Sequence, residues 1–194
     1  INGKIKPTTN GFYQELLPFG KYTYRVNRPD YHELIGEIEV SDPANAHKLK
    51  LELKPAFGFV SVLESKNPEL NGALVYIDQQ YAGTIPVRDY KVISGSHNLR
   101  IVKEMYQGYE DTFTVNDNQK LVLTPSMKAD FAQVTLQTSV DADIYVNGEL
   151  KGKGKWAGRL ATGSYIFESR QAGHIDSRFP YDISTNDQSK TITI

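Results

Sequence analysis

The sequence contains no cysteine. A chain without thiols forms no disulfides, builds no zinc–cysteine site and has no thiol nucleophile. The sequence also has no excess of charge of either sign, since 22 basic and 23 acidic residues leave a formal net charge of −1. Nucleic-acid binding needs a net basic face. We therefore predict a protein with no nucleic-acid partner.

Long apolar segments are absent as well. No stretch approaches the roughly 20 apolar residues that a membrane-spanning helix needs. No signal peptide pattern is visible. The sequence starts at Ile1 and not at Met. We expect no membrane span within this fragment, and we expect it to be attached to an upstream segment or domain.

What the sequence does contain is an internal repeat with a period of about 70 residues. Three blocks recur: Leu51–Pro55 as Leu121–Pro125, Val75–Asp78 as Ile144–Asn147, and Ser94–Leu99 as Thr162–Phe167. The repeat predicts three modules at residues 1–56, 57–130 and 131–194. Each is short for a domain and is expected to depend on its neighbours.

The first predicted module starts late. Ile1–Gly3 aligns with Val146–Gly148, so this module lacks the strand that opens the other two. An unpaired edge is expected there unless an upstream segment fills it. The segments joining the modules, near residues 55–58 and 125–130, are too short for flexible tethers. A stiff, elongated array is therefore expected.

Apolar and polar residues alternate with a period of two in many segments. Lys48–Leu53, Phe57–Val62 and Phe131–Leu136 are examples, and such alternation predicts strands with one buried face. Asn-Gly pairs such as Asn71-Gly72 and Asn147-Gly148 predict tight turns between strands. No convincing helical stripe is present. The sequence predicts an all-β fold, a tandem array of small antiparallel β-sandwich modules.

The second module shows a characteristic series of short motifs. Val75-x-Ile77 leads to Gly83-Thr84-x-Pro86, and Ser94-Gly95 and Gly108-Tyr109 follow. This series resembles the PEGA domain family. The third module keeps Ile144–Gly148 but has Lys155-Trp156 in place of the Thr-Pro step, and the Pro-Glu-Gly-Ala signature is absent from all three. The resemblance therefore rests on the pattern of strands and turns.

The resemblance implies a small antiparallel β-sandwich attached to envelope or surface proteins. It implies an extracytoplasmic location in a bacterium, in the periplasm or at the cell surface. It also implies a non-enzymatic role as a spacer or scaffold, with an unidentified envelope glycan or protein as partner. No catalytic residue and no cofactor come with the family pattern.

The most unusual local stretch lies between residues 151 and 159, where four basic residues accompany the single Trp. Its glycine spacing fits a dinucleotide fingerprint, but no βαβ unit surrounds it. Two interpretations remain open. The lysines are solvated on a glycine-rich loop with the Trp folded back, or the loop is a carbohydrate-binding surface. The residues of that alternative site are Lys151, Lys153, Lys155, Trp156 and Arg159.

Metal and catalytic sites are not predicted. Asp141–Asp143 and Asn116–Asn118 lack the calcium-loop spacing and are ordinary turn formers. The sequence has no nucleophile elbow of the Gly-x-Ser-x-Gly type. Its histidines are scattered without metal-ligand spacing: His32, His47, His97 and His174. We also expect Tyr31, Tyr109 and His174 to occupy one equivalent position after a turn, with the ring packed over the end of a sandwich.

Overall fold

The computed structural model describes residues 1–42, 48–64 and 68–194; His47 lies outside them. The regular secondary structure of the described residues is strand, apart from two single 3-10 turns at Pro68–Leu70 and Thr185–Asp187. The first strands are β1 (Gly20–Val26), β2 (Leu34–Val40), β3 (Phe57–Val62), β4 (Leu74–Ile77), β5 (Gln80–Thr84), β6 (Val87–Ile93), β7 (Gly95–Val102), β8 (Tyr109–Val115) and β9 (Lys120–Leu123). The remainder are β10 (Phe131–Gln137), β11 (Asp143–Val146), β12 (Glu149–Lys153), β13 (Lys155–Ala161), β14 (Gly163–Arg170), β15 (Ser177–Ile183) and β16 (Thr191–Thr193).

These strands form four sheets. β1 pairs with β2, three strands follow the order β6-β3-β9, and four follow β5-β4-β7-β8. The largest sheet has the order β15-β14-β11-β12-β13-β10-β16, and its β10–β16 pair is parallel. The prediction of an all-β fold built from small, mainly antiparallel sheets is confirmed. The module boundaries at 56/57 and 130/131 stay a prediction.

Alternating sequences produce the buried faces, as period-two side-chain geometry requires. In β3 every second residue is buried, and Val60 and Val62 are fully so. In β10, Ala132, Val134 and Leu136 alternate in the same way. The core of the seven-stranded sheet combines the three β10 residues with apolar side chains from five further strands, namely Ile144, Val146, Leu160, Phe167, Ile183 and Ile192.

One predicted strand is not formed. Lys48–Leu53 alternates cleanly in sequence but pairs with no strand of the described residues, and Leu49 and Leu51 are exposed. The equivalent strands β9 and β16 pair with β3 and β10, which open the second and third predicted modules. Residues 1–19 form no such opening strand. The alternating segment therefore has no ladder to join, and the prediction of a strand there is wrong.

The chain divides into two compact units. The first contains residues 1–61, 88–97 and 112–123, and the second contains residues 62–87, 98–111 and 124–194. In the first unit, β1 and β2 pair along their whole length from Gly20↔Val40 to Val26↔Leu34. In the second unit, the β14–β15 ladder runs from Gly163↔Ile183 to Ser169↔Ser177.

Two hairpins share their irregularities. β4 and β5 shift register between Val75 and Tyr76, and β11 and β12 shift register between Ile144 and Tyr145. Such a bulge re-aims the side chains of the bulged strand. The equal position of the bulge in both hairpins follows the sequence repeat.

In the turns of these hairpins, the side-chain oxygen of an Asp or Asn accepts a hydrogen bond from a backbone N–H of another strand. Asp78 accepts a hydrogen bond from the Asn98 N–H at 2.9 Å. Asn147 accepts one from the Ile166 N–H at 2.7 Å. In the first unit, Asn2 accepts one from the Thr23 N–H at 3.0 Å. All three accepting residues have a positive φ, from 44° to 49°, which Asn and Asp tolerate better than most residues.

Candidate functional site

The basic stretch 151–159 is a β-hairpin. Lys151 and Lys153 lie on β12, Lys155 and Arg159 lie on β13, and Gly154 turns between them with a φ of 69°. The prediction of a glycine-rich loop is therefore wrong, although the basic residues do lie on adjacent strands. Glycine supplies the positive φ that a tight connection of this kind requires.

Trp156 lies on the opposite strand face from two of the basic residues. Its side chain packs against the core of the seven-stranded sheet, on the same face as the buried Leu160. The six-membered ring covers Gly158, where an added Cβ would lie 2.2 Å from the Trp156 Cζ2. Lys155 and Arg159 alternate with these positions and are exposed. The structure therefore does not bring the Trp156 ring together with Lys155 and Arg159.

Three of the four basic side chains lie next to an acid. Lys151 Nζ is 2.7 Å from a carboxylate oxygen of Glu149, and Lys153 Nζ is 3.1 Å from one of Asp141. Arg159 Nη2 is 2.6 Å from the Glu69 Oε1. These neighbours already neutralise most of the positive charge that the alternative site would offer to an acidic ligand.

A second group of contacts, not recognised from the sequence, lies where the first two predicted modules meet. We call it the first junction, and it lies within the first compact unit. The Ala56 N–H donates to the Asp30 carbonyl at 2.8 Å, and the His32 N–H donates to the Lys54 carbonyl at 2.9 Å. The Ser94 N–H donates to the Ala56 carbonyl at 2.9 Å. The connecting segment is thus hydrogen-bonded on both sides.

An aromatic and charged cluster covers this connection. The rings of Tyr31 and Phe57 meet edge to face with centroids 5.9 Å apart. Lys91 Nζ lies 4.2 Å from the Phe57 centroid and also forms an ion pair with Asp30. Edge-to-face rings and a cation above a ring are both favourable arrangements.

Asp117 adds a polar contact to the first junction. Its carboxylate accepts hydrogen bonds from the Ser94 hydroxyl and lies 2.7 Å from His32 Nε2. These two hydrogen bonds, that of Ser94 before that of His32, hold the pKa of the Asp117 carboxyl below its usual range. The carboxylate form is the one that these contacts stabilise.

The same arrangement recurs where the second and third predicted modules meet. We call it the second junction, and it lies within the second compact unit. The Asp130 N–H donates to the Met105 carbonyl at 2.8 Å, and the Gln107 N–H donates to the Lys128 carbonyl at 2.9 Å. The Thr162 N–H donates to the Asp130 carbonyl at 2.9 Å. Each hydrogen bond of the first junction has a counterpart here.

The aromatic cluster recurs with them. Tyr106 and Phe131 meet edge to face with centroids 5.9 Å apart, and the Arg159 guanidinium lies 4.6 Å from the Phe131 centroid. Glu69 accepts hydrogen bonds from Arg159 and from the Tyr106 hydroxyl. These bonds, with Arg159 contributing most, lower the pKa of the Glu69 carboxyl. Arg159 therefore belongs to a junction, a role that the sequence did not indicate.

The predicted equivalence of Tyr31 and Tyr109 is wrong. Tyr31 forms an isolated antiparallel bridge with Pro55, and the residue that forms the matching bridge, with Ala129, is Tyr106. The Gly108-Tyr109 dipeptide places the equivalent tyrosine three residues further along the chain than the structure does. The sequence holds no clear signal for Tyr106, because what Tyr31 and Tyr106 share is the positive φ of the preceding residue, Asp30 or Met105.

Neither a cluster of metal-ligating side chains nor a membrane-spanning helix is found in the part of the chain that the structure describes. No group of three or more His, Cys, Asp or Glu side chains there is placed to hold a metal ion. Among the same residues, no helix has the length and apolar character to cross a membrane.

Comparison with known proteins gives a limited set of likenesses. No curated protein matches the chain. A solved structure described as "The Bacillus anthracis TIE protein" is similar at 16% identity and a TM-score of 0.37, covering 91% of this chain and 41% of that one. This chain thus spans less than half the length of that protein, and the likeness assigns no function. Residues 67–129 match the family model of the PEGA domain, which confirms over that segment the resemblance seen in the sequence.

Proposed function

We propose that the chain is a non-enzymatic spacer or scaffold of a bacterial cell envelope or surface, in which each junction fixes one module against the next. PEGA domains occur in extracytoplasmic proteins and are generally non-catalytic. The partners in this proposal are an upstream domain and an envelope glycan or protein. The observation that carries it is the recurrence of one set of junction contacts at both places where modules meet.

A spacer must resist bending at its joints, and the junction contacts supply that resistance. At each junction one backbone hydrogen bond joins two modules, from Ser94 to Ala56 or from Thr162 to Asp130, and two more hold the connecting segment to the turn of the earlier module. Each contributes about 1 kcal/mol to stability. An edge-to-face aromatic pair adds about 0.5–1.5 kcal/mol beyond the apolar area that it buries. Bending at the joint breaks several of these contacts at once. A flexible tether of the same length would have none of them.

The absence of cysteine makes a direct test straightforward. Paired cysteines replacing the exposed Glu37 and Thr114 would carry spin labels on either side of the first junction. Paired cysteines replacing Glu110 and Gln137 would do so at the second junction. Distance distributions from electron–electron double resonance are expected to be narrow for both pairs.

Substitutions in the junctions give the control. Phe57→Ala is expected to broaden the first distribution and to leave the second unchanged, and Phe131→Ala is expected to do the reverse. Broad distributions in the unsubstituted chain would mean that the joints are flexible, and the spacer proposal would then fail.

The alternative function, a carbohydrate-binding module at residues 151–159, remains a prediction with less physical support. A sugar stacked on Trp156 would lie on the other strand face from Lys155 and Arg159. Trp156→Phe keeps an apolar ring at the partly buried position, whereas Lys155→Ala changes only the exposed face. If a glycan array detects binding, and both substitutions abolish it, the alternative would gain the support that it now lacks.

A further inference from the structure

The third predicted module repeats the turn that both junctions use. The Tyr31 N–H donates to the Arg28 carbonyl at 3.1 Å, and the Tyr106 N–H donates to the Lys103 carbonyl at 3.2 Å. The His174 N–H closes the same turn on Gln171 at 3.0 Å. We call residues 171–175 the third turn.

The backbone conformation of the third turn also matches. The residue before the ring has a φ of 66° at Asp30, 64° at Met105 and 82° at Gly173. His174 therefore stands where the two junction tyrosines stand. This part of the predicted equivalence agrees with the turn geometry.

The third turn has the two backbone groups that form hydrogen bonds in a junction, but the segment that bonds to them in the two junctions has no equivalent in the described part of the chain. By position, the Gly173 carbonyl corresponds to the acceptors Asp30 and Met105, and the Ile175 N–H corresponds to the donors His32 and Gln107. Within residues 1–42, 48–64 and 68–194, neither backbone group of the third turn has a hydrogen-bond partner. In the two junctions, the matching groups bond to the segment that leads into the next module.

Two side chains of the third turn are exposed, as they would be at an unfilled contact. Ile175 is 99% exposed, and His174 is exposed as well. The tyrosines that occupy the position of His174 in the two junctions are partly buried instead.

We infer that the third turn is a docking site for the segment that leads into a further module of the same kind. That segment is extended, it offers a carbonyl to Ile175 and an N–H to Gly173, and it places an aromatic ring beside His174. In the two filled junctions the arriving module also brings the cation above that ring, Lys91 or Arg159. The third turn supplies no such cation, so the partner must carry its own.

This inference rests on the proposed module array, but it has a separate test. In an extended chain, residues 124–194 are repeated after Ile194, because that segment follows Leu123 in the natural order. The measurement is hydrogen exchange of the Ile175 amide by NMR, in the original and the extended chain. Exchange is expected to slow by at least about tenfold in the extended chain, toward the rate of the Gln107 amide.

Two results would overturn the inference. One is an unchanged Ile175 exchange rate while the added module shows a native indole signal from its own tryptophan. The other is failure of the added segment to fold behind Ile194, since the same residues fold behind Leu123. Neither result would alter the two natural junctions, so the spacer proposal would stand or fall on its own test.

A matched pair of variants separates docking from nonspecific stabilisation. In the extended chain, Ile175→Pro removes the amide donor, and Ile175→Ala keeps it. The amide of the added module that corresponds to Asp130 is expected to exchange at least about tenfold faster in the proline variant and at an unchanged rate in the alanine variant. Equal rates in the two variants would contradict a backbone-directed docking site.

Discussion

Three tight turns in the chain share a backbone conformation but differ at their second residue. The φ at that residue is 76° at Gly3, 68° at Gln79 and 81° at Gly148. A side chain in the left-handed region costs about 1–2 kcal/mol, whereas glycine adopts it freely. Glycine loses part of that advantage through its greater entropy in the unfolded chain.

Gln79→Gly is therefore expected to raise the free energy of unfolding by about 0.5–1 kcal/mol. Thermal unfolding followed by circular dichroism measures the change. The control is Gln80→Gly at the start of β5, which is expected to lower stability because glycine weakens a strand. If the two variants shift the transition in the same direction, the explanation by backbone strain is wrong.

A charged cluster at the 3-10 turn of the third module gives a pH prediction. Asp187 accepts hydrogen bonds from Lys190, from the Ser184 backbone and side chain, and from Tyr181, with Lys190 contributing most. Together they lower the pKa of Asp187 to about 2. Because the folded pKa lies below the unfolded one, the stabilisation is present above about pH 4 and is lost as the pH falls toward 2.

Asp187→Asn is expected to lower stability at neutral pH. The difference in urea midpoint between the original chain and this variant is expected to shrink as the pH falls from about 4 toward 2. Urea unfolding at a series of pH values measures it. A difference that is independent of pH across this range would show that the Asp187 charge does not stabilise the fold.

At the level of elements, strands were predictable where a partner strand exists. The alternation in Phe57–Val62 and Phe131–Leu136 predicted β3 and β10 because one face of each packs into a core. The equally clear alternation in Lys48–Leu53 forms no strand. Periodicity in the sequence shows which side chains would share one face of a strand. A strand forms only if a neighbouring strand is also present to accept and donate its backbone hydrogen bonds.

The candidate site was less predictable than the strands. The sequence drew attention to Trp156 and the nearby lysines because their composition is unusual. The sequence around the junction residues Tyr31 and Tyr106 is not unusual in composition. Their role comes from the geometry of two equivalent turns that lie 75 residues apart in the chain. A contact between residues so far from their partners cannot be read from local pattern alone.

Tyr106 and Tyr109 provide a test at this scale. Tyr106→Ala removes the ring packed on Phe131 and the hydroxyl bonded to Glu69, so faster exchange of the Gln107 and Asp130 amides is expected. Tyr109→Ala removes a side chain whose hydroxyl donates to Asp111, also on β8, and is expected to leave those amides unchanged. Hydrogen exchange by NMR reports both. The opposite pattern would restore the equivalence expected from the sequence.

At the scale of the whole molecule, the repeat predicted more than any single motif did. It aligned Asp78 with Asn147, and the structure has matching turns at these residues and matching hairpin bulges next to them. It did not indicate that compact units would each include a junction, because such packing depends on contacts between modules. The repeat therefore predicts which turns and strands recur along the chain. It does not predict the contacts that join one predicted module to the next.

The most direct measurement of the central claim is hydrogen exchange of the four junction amides, Ala56 and Ser94 in the first junction and Asp130 and Thr162 in the second. If both junctions are rigid, hydrogen-bonded joints, these amides will be protected to a degree close to that of strand amides such as Val134. If they exchange as fast as an unstructured peptide while Val134 stays protected, the modules are joined by tethers and the account is contradicted.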